Sequence, residues 1–323
     1  MALYLVTGGA GFIGSHIATA LVERGDRVRV LDDLSGGDPG NLAHLPVGEL
    51  ERGAAVELLQ GDVSDSDACR AACAGVRGIF HEAAQVSVPR SIEVPERSYE
   101  VNVTGTLRLL EAARAAGAMR IVFAASSAAY GNAALLPKVE SMLPDPLSPY
   151  ASGKIAGEHL MRVYGATFGM HTVSLRYFNV FGPRQADDSP YSGVIAIFAR
   201  ALLAGRRPTI HGDGEQTRDF TYIDNVVAAN LAAMEASIEP GTVINVGAGE
   251  RISLNDLFHA MTEVLGIPIE PVYEAPRPGD VRDSLASLDR ARELLGYSPA
   301  VDWRTGLAKT LAWYRERLGQ GGR

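Results

Sequence analysis

A doubly wound α/β fold is predicted by three observations. Short β-branched runs alternate with longer helical patterns up to about residue 176, the runs are almost continuously apolar, and the first ends in evenly spaced glycines that open a helix. Leu3 to Thr7 reads as the first strand, Phe12 to Arg24 as the helix behind it, and Arg27 to Leu31 as the second strand. Ala55 to Gln60, Gly78 to His81, Ile121 to Ala125 and Thr172 to Arg176 continue the series, and right-handed crossovers make the sheet parallel. Long helices are expected over Arg90 to Gly117 and, with Pro149 marking the start, Tyr150 to Gly169. After Asn179 the chain is richer in Gly and Pro, notably over Gly205 to Gly214 and Glu274 to Asp280, as a smaller mixed α/β domain would be. Thr242 to Val246, preceded by a helix from Asp224 to Glu235, reads as a strand returning to the first sheet. The expected division is therefore 1–178, rejoined at about 220–248, and a second domain from the rest of 179–323.

Composition excludes several function classes. With 323 residues, 46% hydrophobic and 21% charged, the chain has the make-up of a soluble globular protein. Its 30 basic and 38 acidic side chains leave −8 at pH 7, which repels nucleic acid and anionic membranes, so an anionic ligand needs local cations. The apolar stretch Gly193 to Gly205 is interrupted by Arg200, and the opening segment lacks a basic leader, so neither a membrane span nor a signal peptide is expected. Cys69 and Cys73 suit two small core residues better than a disulfide, which points to a reducing, cytoplasmic setting. No metal site is expected: His81-Glu82 begins like a metalloprotease helix, but Gln85 stands where the second histidine belongs.

The glycines Gly8, Gly11 and Gly14 divide the work of a dinucleotide site. Gly8 permits the tight turn, Gly11 lets the backbone approach a pyrophosphate at the helix N-terminus, and Gly14 lets the helix pack closely on the strand. Asp32 ends the second strand, where a carboxylate accepts from a ribose diol and repels a 2′-phosphate, so NAD is favoured over NADP. Asp33 adds a second negative charge or simply faces solvent. Asp62-Val63, after the third strand, suits adenine contacts, and Asp62 serves equally well as a helix cap.

Tyr150 and Lys154 lie one helical turn apart on one face, a pairing that is rare by chance in a chain with 11 tyrosines and only three lysines. A fixed cation favours phenolate, so Lys154 is expected to lower the proton affinity of Tyr150. Ser126 and Ser127 follow a central strand, where ligands bind in open α/β sheets and where serines also form turns.

The glycine pattern, Asn102, Ser126, Tyr150 and Lys154 together resemble the extended branch of the short-chain dehydrogenase/reductase superfamily, with its Rossmann-type sheet and nucleotide-sugar epimerases and dehydratases. The resemblance covers nearly the whole chain. The runs Leu175 to Gly182, Gly212 to Phe220 and Arg277 to Asp280 are similar to segments that hold UDP in bacterial UDP-sugar 4-epimerases. Several further runs look most like UDP-N-acetylglucosamine 4-epimerases. The resemblance implies that Phe12, Ile13, Ala83, Ala84, Gln85, Asn102, Tyr177 and Val180 join the cofactor site, together with Ser126, Tyr150 and Lys154. It implies a substrate site of Ser87, Ser126, Ser127, Tyr150, Asn179, Val194, Arg218, Arg277, Asp280 and Ser284, with Asn179, Arg218 and Arg277 on the pyrophosphate and Asp280 on the uridine ribose. Relatives that dehydrate or decarboxylate carry an acid where this chain has Ser127 and Ala128, so epimerisation is implied, with UDP-glucuronate and UDP-glucose/galactose as alternative sugars. Ser284 stands where galactose epimerases place a tyrosine and implies room for an acetamido group. A homodimer through the two long helices is implied by the same resemblance. A non-catalytic NAD-sensing module on this fold is the rival, and the intact Tyr150–Lys154 pair opposes it.

Overall fold

Seven parallel strands form the central sheet: β1 (Leu3–Thr7), β2 (Arg27–Asp32), β3 (Val56–Gln60), β4 (Gly78–His81), β5 (Arg120–Ser126), β6 (His171–Tyr177) and, far along the chain, β11 (Thr242–Val246). A computed structural model of the protein describes residues 1–187, 193–276 and 281–320. All seven strands lie within one residue of their predicted bounds. The helices between them are α1 (Phe12–Glu23), α2 (Ser66–Cys73), α3 (Val88–Glu93), α4 (Pro95–Tyr99), α5 (Thr106–Ala116) and α6 (Pro149–Phe168). Beyond β6 come β7 (Val180–Phe181), α7 (Val194–Leu203), β8 (Thr209–His211), β9 (Thr217–Arg218), β10 (Thr221–Tyr222) and α8 (Ile223–Glu235). After β11 the chain ends in β12 (Ile252–Ser253), α9 (Leu254–Leu265), β13 (Val272–Glu274), α10 (Asp289–Leu295) and α11 (Trp303–Gln320).

The strand order β3-β2-β1-β4-β5-β6-β11 reverses direction between β1 and β4, and ligands bind outside the carboxyl ends of strands at such a switch point. Adjacent residues of each strand point to opposite faces, which is why the strands are apolar without alternation. Val6, Val30, Phe80 and Val122 pack into one core layer, and Leu5, Leu31, Ile79 and Phe123 into the other. Cys69 and Cys73 are fully buried in the second layer, where burial pushes both thiols up to about 12. They are inert core residues.

One expectation needs correction. The helix expected over Arg90 to Gly117 is broken at Val94 (φ −134, ψ 69), which Pro95 keeps out of the helical region, and a π-helical turn over Glu100–Gly105 joins α4 to α5. That turn carries Asn102. No helix of the described residues is long and apolar enough to cross a membrane.

Candidate active site

The turn from β1 into α1 is a cradle from which side chains are excluded. Gly8 sits at φ +66, and a Cβ there would lie 2.8 Å from the Ala83 backbone. At Gly14 it would lie 2.3 Å from the Gly8 carbonyl oxygen, so helix and turn touch directly. Gly11 occupies the position before the first helical residue, with no side-chain cap, and Phe12 and Ile13 are half-buried beside it. The first-turn N–H groups therefore stay available to an anion at the positive end of the helix. Asp32 is 7% exposed; its two oxygens accept from Ala10 N and Leu34 N, each at 2.9 Å, and burial raises its proton affinity. The residues present fit a dinucleotide with a free ribose diol.

Around this cradle the structure places the other expected cofactor residues unevenly. Asp33 accepts from Ser35, and Asp62 accepts from Ser64 N at 2.7 Å, while Arg97 reaches Asp33, Asp62 and Glu100 together. Burial opposes ionisation of Asp62, but Arg97 and Ser64 hold it below the usual carboxylate range. The cap of α2 is Asp65, not Asp62. Val63 is a core residue packed at Gly105. Arg97 escaped sequence reasoning because its carboxylate partner Asp62 lies 35 residues away on another loop. Ala83, Ala84 and Gln85 form the half-buried loop after β4. Asn102 clamps that loop: its Oδ1 accepts from Gln85 N at 2.8 Å and its Nδ2 donates to Gln85 O at 3.1 Å. Its amide is thus spent on positioning the loop.

Ser126, Tyr150 and Lys154 meet at the end of β5. Pro149 begins α6, Ser148 caps it, and one turn separates the phenol from the ammonium. Ser126 accepts from Ala128 N at 3.1 Å, and its side chain favours the ionised form of the Tyr150 phenol. Lys154, 3% exposed, donates to the Ala124 carbonyl at 2.7 Å, and its Nζ lies 5.0 Å from the Phe123 ring centroid and 6.0 Å from that of Tyr150. The expected lowering of Tyr150 is not found. Burial pushes the phenol up, the Ser126 bond pulls it down, and the neighbouring Glu82 carboxylate pushes it up again. The ammonium is directed at a backbone carbonyl, not at the phenol oxygen.

A cavity of about 280 Å³ is lined in part by Asn179, Val180, Val194 and Arg218, with Gln216 from the run Gly212 to Phe220, and with His211, which sequence reasoning missed. Asn179 has φ 30, and its Nδ2 donates to Asp219 O and Ser284 Oγ, both at 3.1 Å, so its amide hydrogens are already committed. Ser284 is buried behind it and also accepts from Asp219 N at 3.3 Å. Arg218 donates to the Thr217 and Arg282 carbonyls. Ser87 caps α3, and Ser127 opens the short turn Ser127–Tyr130. Arg277 and Asp280 lie outside the described residues.

Residues 4–247 match the NAD dependent epimerase/dehydratase family. The chain belongs to that family. As an extended short-chain dehydrogenase/reductase with this epimerase/dehydratase fold, it takes NAD as its cofactor. It is 41% identical over 320 residues to a UDP-glucose 4-epimerase of Mycolicibacterium smegmatis, covering 97% of this chain and 98% of that one. Among solved structures it is similar to a UDP-N-acetylglucosamine 4-epimerase from Methanobrevibacter ruminantium in complex with UDP-N-acetylmuramic acid (TM-score 0.91, 36% identity, 98% of this chain and 99% of that). It is also similar to a Thermus thermophilus UDP-glucose 4-epimerase in complex with NAD (TM-score 0.87, 38% identity, 97% and 99%).

Proposed function

We propose that the protein is a UDP-sugar 4-epimerase that interconverts UDP-N-acetylglucosamine and UDP-N-acetylgalactosamine and also accepts UDP-glucose. The observation that carries the activity is the placement of Tyr150 and Lys154 one turn apart on α6 beside the end of β5, with Lys154 Nζ bonded to Ala124 O and 6.0 Å from the Tyr150 ring centroid. When bound, NAD supplies the hydride acceptor for oxidation at C4 and the donor for its reversal. The chain's own part is proton handling and orientation. Gly8, Gly11 and Gly14 cradle the pyrophosphate, Asp32 accepts from the ribose diol, and Asn102 holds the loop that borders the site. In its phenolate form, which rising pH populates, Tyr150 Oη takes the proton of the 4-hydroxyl, with Ser126 beside both oxygens, and returns it after the keto sugar has presented its other face. The segment from Asn179 onward serves as the UDP side, with Arg218 and Arg277 as the cations that an acidic protein needs there. No carboxylate at Ser127 or Ala128 stands ready to drive elimination. Incubation of the purified protein with UDP sugars and separation of the C4 epimers tests the activity; no epimer from any UDP-hexose overturns it.

The acetylated substrate rests on the small Ser284 and on similarity to the Methanobrevibacter enzyme. A second reading, UDP-glucose/galactose, is favoured by the burial of Ser284 behind Asn179, where its size is used for packing. Comparing kcat/KM for the two sugar pairs separates them. Ser284→Tyr is expected to lower turnover of the acetylated pair by tenfold or more, because overfilling a packed site costs about 1–3 kcal/mol. An equal loss on both pairs denies Ser284 a role in sugar choice.

The cofactor released on denaturation is expected to be NAD, since Asp32 opposes a 2′-phosphate; recovery of NADP overturns that assignment. We also read the exposed apolar side chains Val88 and Ile92 of α3 and Val163 and Phe168 of α6 as the contact with a second copy, a reading that a sedimentation mass of 34.3 kDa, that of one chain, overturns.

A further inference from the structure

His81 ends β4 at the point where the strand order reverses, opposite Thr7 of β1 on one side and Phe123 of β5 on the other. It is fully buried, and both ring nitrogens are engaged: Nδ1 lies 2.8 Å from Thr7 Oγ1 and Nε2 lies 3.0 Å from Thr106 Oγ1. Which nitrogen carries the hydrogen follows from counting partners. Thr7 is also fully buried, and its hydroxyl oxygen already accepts from Ala83 N at 3.3 Å, so among the described residues His81 Nδ1 is the acceptor open to its hydrogen. A hydrogen on Nδ1, in the other tautomer or in the imidazolium, leaves the Thr7 hydrogen with no acceptor in the core. With Nδ1 bare, Nε2 bears the hydrogen and donates it to Thr106 Oγ1, and Thr106 donates its own to Asn102 O at 2.8 Å. Every donor then has a partner. The charge nearby acts in the same sense: Lys154, on α6, opposes a second cation, and burial together with Lys154 pushes the imidazole down to about 3.

Both ends of this chain of bonds are elements of the cofactor site. Thr7 precedes Gly8, and its carbonyl accepts from Glu82 N at 3.2 Å, so the end of β1 and the loop after β4 are joined by main chain as well as by the Thr7 hydroxyl on Ala83 N. The contact that excludes a Cβ at Gly8 is made by Ala83 of that same loop. At the other end Thr106 closes on the π-helical turn whose Asn102 clamps Gln85. His81 bonds to both ends. We propose that His81, held as the neutral Nε2–H tautomer, is a positioning residue for NAD, locking the loop 82–85 between the glycine turn and the Asn102 turn. An imidazole suits the task because it spans two hydroxyls with one acceptor and one donor and adds no charge beside Lys154. The inference rests on the NAD site of the family and not on the choice of reaction, so an absence of epimerase activity leaves it standing.

Two measurements on the NAD-loaded protein test this. With ¹⁵N-labelled histidine, the His81 signals are assigned among the seven histidines by contacts between its ring protons and those of Phe123, whose ring centroid lies 5.5 Å away. Nε2 should carry the hydrogen and Nδ1 none, unchanged across about pH 5–8, where an ordinary histidine titrates. The second measurement is the rate at which bound NAD is lost to an excess of an NAD-hydrolysing enzyme. Thr106→Val keeps the shape and removes the link between His81 and Asn102, so it should raise that rate about fivefold, as the loss of one hydrogen bond would. Thr106→Ser should keep the rate near that of wild type. Thr310→Val controls for lost stability alone: the Thr310 hydroxyl makes the same kind of bond, to Gly306 O at 2.7 Å, in α11, and this variant should lose NAD no faster than wild type. A hydrogen on Nδ1, a His81 that titrates in that range, or a folded Thr106→Val that loses NAD at the rate of wild type, of Thr106→Ser or of Thr310→Val overturns the proposal. Should Thr106→Val fail to fold, Thr7→Val, which removes the donor to Nδ1, takes its place with the same expectation.

Discussion

Tyr150→Phe is expected to lower kcat by about 10²- to 10⁴-fold while NAD content stays that of wild type. The structure explains why the loss should be confined to chemistry. The ring is carried by α6, whose start is fixed by Pro149 and by Ser148, and the Tyr150 backbone N–H donates to Ser91 Oγ at 3.2 Å. None of these contacts involves the phenol oxygen. What disappears is the hydroxyl and its interaction with Ser126, a change compatible with folding because the ring and its backbone contacts remain. The phenol also starts from a high proton affinity, because burial and Glu82 both oppose phenolate. Activity of the free enzyme should accordingly climb as pH rises through neutrality, and that climb should vanish in the variant. Near-normal turnover in Tyr150→Phe, measured with NAD occupancy checked by release, overturns the assignment of the proton carrier.

The sheet was legible because its strands are buried on both faces, so apolar runs separated by helices could be read directly. The cradle was legible because a close approach of backbone to backbone demands glycine at fixed spacing. Signals of a different kind were harder to read. Pro95 is present in the sequence as a break in the helix expected over Arg90 to Gly117, because a proline keeps the residue before it out of the helical region. Glu82 looked like the remnant of a metal motif. Its actual partner, Tyr177, lies 95 residues away, and Asn230 lies a further 53 beyond that, so no local spacing could connect them. Asn179 and Ser284 illustrate the same point from the other side. Both positions were singled out, but that the amide hydrogens of one are spent on the other follows only from a fold that brings residues 105 apart into contact.

Gly14→Ala should cost stability and cofactor together, although helix propensity alone predicts the opposite. Gly14 lies inside α1, and replacing a helical glycine by alanine ordinarily stabilises by about 1 kcal/mol. Here the added Cβ would stand 2.3 Å from the Gly8 carbonyl oxygen and 2.8 Å from the Gly9 Cα. Both are backbone atoms, so no rotamer change relieves the overlap. Either α1 must move away from β1 or the turn Gly8–Gly11 must open, and each displaces the N–H groups that the pyrophosphate would use. A net loss of up to about 2 kcal/mol is expected from overpacking set against the propensity gain, with a protein that purifies largely without NAD. Gly36→Ala supplies the control, because a Cβ at Gly36, in the loop after β2, meets nothing within 4 Å. That variant should keep NAD and hold its stability to within about 1 kcal/mol. Thermal unfolding of both variants, with and without added NAD, separates the two effects. A Gly14→Ala protein that melts at or above wild type and retains NAD shows that α1 can shift without opening the cradle, and the close approach at Gly14 is then not what holds the site.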